Sequence, residues 1–115
     1  MKTISLLEGC QLSLNREKVR IEKAFRQLRR QLPTFYPVRI RWARMDAAKG
    51  LCNFDRRRRQ FLITFNPESH PAQWTDLLIH EYAHTLAWTH EKLDDHGPMW
   101  GVAYALVYQA VNNCK

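Results

Sequence analysis

Two histidines four residues apart, His80 and His84, flank Glu81 inside the apolar run "LLIHEYAHTLAW" at residues 77–88. On a helix, positions i and i+4 share one face, so both imidazoles stack together with the carboxylate beside them. No other feature constrains the fold as much. Ionisable groups on a buried face are costly unless partnered, so another part of the chain must bring a partner to this face. H-E-x-x-H on a helix is the pattern in which two imidazoles hold one divalent ion, Zn²⁺ above all, while the Glu reaches a neighbouring water.

A zinc centre that does chemistry takes three protein ligands and keeps a fourth position open. Four sources compete for the third place. His90 follows His84 by six residues, the spacing of H-E-x-x-H-x-x-G-x-x-H. That pattern turns on a Gly where this chain has Ala87, and Ala adopts positive φ poorly. A carboxylate on a following helix fails because no Asp or Glu occurs after Asp95. Glu91, Asp94 and Asp95 lie in the intervening loop without a recognised spacing. His96 precedes Gly97 and Pro98, which can set a turn and start a helix, so its imidazole would be held at a fixed helix entrance. It is the preferred third ligand. Asp94 or Asp95 could then accept a ligand's second N–H.

At 115 residues the chain has room for one core, and it reads as a single domain over residues 1–115. Apolar residues at helical spacing predict a helix from Ser13 to about Leu32, capped by Ser13 or Asn15 and stopped by Pro33. "PVRIRWARM" alternates, with Val38, Ile40 and Trp42 on one side and Arg39 and Arg41 on the other, which is the pattern of a half-buried strand. Residues 51–65 read as a hairpin with Arg56, Arg57, Arg58 and Arg59 near the tip, ended by Asn66-Pro67. Helices follow over about 71–88 and from Pro98 to about Val111, with "THEKLDDHG" as the loop between them. The expected fold is α+β: an N-terminal helix, a small three-stranded antiparallel sheet, the H-E-x-x-H helix and a C-terminal helix.

Charge is split along the chain. Residues 1–60 hold sixteen Lys and Arg against five Asp and Glu, whereas residues 61–115 hold two against six. A polyanion such as nucleic acid is the natural partner of the first half. Arg39, Arg41 and the four tip arginines are the candidate contacts. Cys10, Cys52 and Cys114 form no C-x-x-C pair, so free thiols in a reducing compartment are expected. No segment has the length of a signal peptide's apolar stretch or of a membrane span, which makes the cytoplasm the expected location.

"LLIHEYAHTLAW" followed by "DDHGPMWGVAYALV" resembles the SprT-like zinc metallopeptidase domain of the Spartan/SprT family. The matching positions are His80, Glu81, His84, His96, Gly97, Pro98 and Trp100, and "GLCNFDRRRRQFLITFNP" is similar to the family's hairpin. The resemblance implies a zincin-like fold and one Zn²⁺ held by His80, His84 and His96. It also implies Glu81 as general base in peptide hydrolysis, with proteins bound or crosslinked to DNA as substrates. The chain has no cysteine zinc ribbon of the kind larger members carry, so DNA targeting would fall to this domain. The setting would be the nucleoid, or the host cytoplasm if the chain is phage-encoded. The substrate backbone is expected to pair with the strand over residues 60–65, which leads directly to the zinc helix. The rival expectation is a non-catalytic basic nucleic-acid-binding or interaction module with a structural zinc.

Overall fold

The computed structural model describes residues 6–46, 50–88 and 96–112, with side chains from residue 14 onward. Helix α1 spans Leu6–Gln31. Ile21, Phe25 and Leu28 are buried on one of its faces, while Arg16, Arg20, Lys23, Arg26, Arg29 and Arg30 are exposed. The helix begins before the expected caps at Ser13 and Asn15. A Ser or Asn inside a helix costs only a few tenths of a kcal/mol (~0.5), and neither breaks it as Pro33 does.

Strands β1 (Val38–Trp42), β2 (Gly50–Asp55) and β3 (Gln60–Phe65) make one sheet in the order β1-β3-β2. The β2–β3 hairpin is antiparallel, but β1 runs parallel to β3, with Val38 opposite Phe61 and Trp42 opposite Phe65. The sheet is therefore mixed rather than antiparallel throughout. Period-two alternation reveals which face of a strand is apolar, not which strand lies beside it. The informative contrast was between strands. β1 and β2 alternate, while in β3 Gln60, Phe61, Ile63, Thr64 and Phe65 are all buried, as befits a central strand whose outward Gln60 and Thr64 lie under the Arg39 and Arg41 side chains. The same finding corrects the docking expectation for residues 60–65. That strand is central, and the edge near the histidines belongs to β2.

A 3-10 turn, Pro71–Gln73, leads into α2, Trp74–Ala87. The last helix, α3, is Pro98–Asn112, with Pro98 in its first turn, where a missing N–H costs nothing. Helix α2 lies between the sheet and α3. Its Trp74, Leu78, Ile79, Tyr82 and Ala83 share a core with Val38, Phe61, Ile63 and Phe65, with the buried face of α1, and with Ala103 and Val107 of α3. Tyr82 ties α2 to the end of α1 by donating its phenol O–H to the Leu32 carbonyl at 2.7 Å. Residues 89–95, including His90, Glu91, Asp94 and Asp95, fall outside the described residues, as do Cys114 and the side chain of Cys10.

Candidate metal centre

His80 and His84 project from successive turns of α2, and His96 stands two residues before α3. Their Nε2 atoms form a nearly equilateral triangle. His84 to His96 is 3.1 Å, and His80 is 3.3 Å from each. A proton on one nitrogen can face one neighbour but not both, so the triangle cannot satisfy itself with linear hydrogen bonds. A cation can. A tetrahedral ion with arms of ~2.0–2.1 Å separates its ligand nitrogens by about 3.3 Å, and the three residues could hold a metal ion as they stand.

The surroundings are asymmetric. His84 is buried at 6% exposure, while His96 is exposed. The Trp100 ring closes one side, its centroid 4.6 Å from the His96 ring, 5.3 Å from His80 and 5.6 Å from His84. Its indole N–H also donates to the His80 carbonyl at 3.4 Å. Burial, and then the neighbouring His96, hold His80 below its ordinary pKa of 6.5. The shift favours the neutral imidazole that binds metal. Glu81 is mostly buried, with Oε1 3.8 Å from His80 Nε2.

On the open side lies a cleft of about 340 Å³ lined by the three histidines, Glu81, and Gly50, Leu51 and Cys52 of β2. The strand residues had no signature in the sequence, because only the sheet order brings β2 over α2. Gly50 makes the approach possible. A Cβ there would collide with the Leu77 side chain and stand 2.5 Å from the Thr64 carbonyl oxygen.

The SprT-like family model matches residues 16–115, nearly the whole chain. The chain belongs to the SprT-like family. Among curated proteins and among solved structures, none matches it. In this SprT-like chain His80, Glu81, His84 and His96 converge in one cleft, whereas the basic residues lie elsewhere. Arg39 and Arg41 stand on the outer face of the sheet, their Nε atoms donating to Gln60 Oε1 at 3.1 Å and Thr64 Oγ1 at 2.9 Å. Arg56, Arg57, Arg58 and Arg59 are exposed at the hairpin tip. There Asp55 Oδ1 accepts the backbone N–H groups of Arg57 and Arg58, and Arg59 takes a φ of 50°. The tip is at the other end of β2 from Gly50, roughly 17 Å along a six-residue strand.

Proposed function

We propose that this SprT-like protein is a zinc-dependent endopeptidase acting on proteins held on nucleic acid. The observation that carries the reading is the triangle of Nε2 atoms with Glu81 beside it in a cleft that opens along a strand edge. His80, His84 and His96 would hold the ion. A bound Zn²⁺ supplies Lewis acidity, making water acidic enough to deprotonate near neutral pH and polarising a peptide carbonyl. Three imidazoles suit zinc in geometry and ligand type.

The remaining work falls to the chain. Glu81 accepts the proton of the attacking water and returns it to the departing amine, and its partial burial keeps it aimed at that position. Gly50, Leu51 and Cys52 of β2 line the cleft, and Trp100 packs against the histidines on the other side. The edge of β2 that no described strand pairs offers an extended peptide main-chain hydrogen bonds that run past the histidines. We read this pairing of edge strand and H-E-x-x-H helix as zincin-like. The exposed arginines of the sheet face and hairpin tip supply the nucleic-acid side of the proposal, which puts the work in the cytoplasm or at the nucleoid.

Glu81→Gln separates catalysis from a purely structural metal. The substitution keeps the shape and removes the base, so zinc content and melting temperature are expected to stay unchanged. Cleavage of a DNA-bound basic protein, and self-cleavage, should fall by at least about 100-fold. Equal proteolysis by the two proteins would take Glu81 out of the mechanism.

A further inference from the structure

Five aromatic rings from four parts of the chain meet at the hairpin-tip end of the sheet. Tyr36 lies 5.0 Å from Phe54, 6.2 Å from Phe61 and 5.2 Å from Trp88 between ring centroids, and Phe54 and Phe61 face each other across the β2–β3 ladder at 5.2 Å. These four are wholly or partly buried. The fifth, Phe35, is 70% exposed, more than any other large apolar residue described. It is not loose. Its ring stacks on Trp88 at 6.2 Å and 23°, and meets Tyr36 edge-on at 4.8 Å. Pro33 and Pro37 bracket its segment and fix φ on either side, and the Thr34 hydroxyl donates to the Tyr36 carbonyl.

Positive charge lies beside this ring. Arg29 shares with Phe35 a cleft of about 250 Å³ that also includes Pro33, Thr34 and Tyr82. The four tip arginines begin two residues beyond Phe54, and Phe61 donates its N–H to the Pro37 carbonyl, which holds the Phe35 segment against the base of the tip. No ion pair to any of these arginines is formed among the described residues. Trp88, beneath Phe35, is one helical turn past His84, a rise of about 6 Å.

A ring held by stacking yet left 70% exposed, beside arginines that form no ion pair among the described residues, presents an open aromatic face next to positive charge. It is the arrangement that holds single-stranded nucleic acid, where cations track the phosphates and an aromatic face receives an unstacked base. A duplex offers its phosphates to the same arginines but no free base face. We infer that Phe35, backed by Trp88, is a base-stacking platform that makes this surface selective for single-stranded nucleic acid. The inference rests on the nucleic-acid part of the proposed function and adds the strand state and the residue that reads it.

Fluorescence anisotropy of the full chain with a labelled oligothymidylate, and with a duplex of equal length, tests it. Wild type should favour the single strand. Phe35→Ala, at a mostly solvent-exposed site, should weaken single-strand binding about tenfold and leave duplex affinity and the salt slope unchanged, while Phe35→Trp should retain it. Arg57→Ala should weaken both probes and flatten the salt dependence. If Phe35→Ala leaves single-strand affinity intact while Arg57→Ala lowers it, the platform is wrong and the nucleic-acid reading stands. Equal losses on both probes would overturn the strand selectivity. If wild type binds neither probe at low salt, this inference and the nucleic-acid part of the proposed function both fail.

Discussion

Tyr82 is buried completely, yet its phenol is one residue from Glu81 and two from His84. It orients that stretch of α2 through its bond to Leu32 and an edge-on contact with Phe25 at 6.3 Å. Burial pushes its pKa from 10.0 up to about 12, with Arg29 partly opposing the rise. Below pH 10 both folded and unfolded chains keep the phenol proton. Between pH 10 and about 12 the unfolded chain loses it first, so folding stability should fall across that window, by on the order of 2 kcal/mol. Urea denaturation on either side of the window measures the loss. Tyr82→Phe should abolish this pH dependence, at a cost of about 1 kcal/mol at neutral pH for the carbonyl left without its donor. At this scale the sequence was most legible. The i, i+4 spacing placed His80 and His84, and the Gly97-Pro98 turn pointed to His96. Phe35 was not legible, since exposure is set by packing.

Elements were half readable. The strands fell where alternation put them, and the tip arginines lie between β2 and β3 as expected. Sheet order was hidden because alternation does not specify a neighbour, and that order decides which edge reaches the three histidines. Two glycines make the difference between local and tertiary information measurable. Gly50 is a tertiary requirement, with β3 backbone and Leu77 in the way of any Cβ. Gly50→Ala should destabilise the protein by about 1–3 kcal/mol and reduce proteolysis by displacing β2. Gly101 sits in α3 with nothing within 4 Å of its Cβ position. Gly101→Ala should instead stabilise by roughly 0.5–1 kcal/mol through helix propensity. Chemical denaturation of both variants checks the opposite signs.

Across the whole molecule, the split of charge along the sequence becomes a split in space. Exposed arginines lie on α1, the outer sheet face and the hairpin tip, while the histidine cleft, with Glu81 in its lining, contains none of them. The metal-binding reading does not depend on that division. It depends on three imidazoles sharing one ion that keeps a position for solvent. X-ray absorption at the zinc edge, on protein loaded with one equivalent of metal, measures this directly. Three imidazole nitrogens at ~2.0–2.1 Å and one non-protein oxygen are expected. Protein that takes up no metal, or an ion whose four ligands are all side chains, would contradict the account.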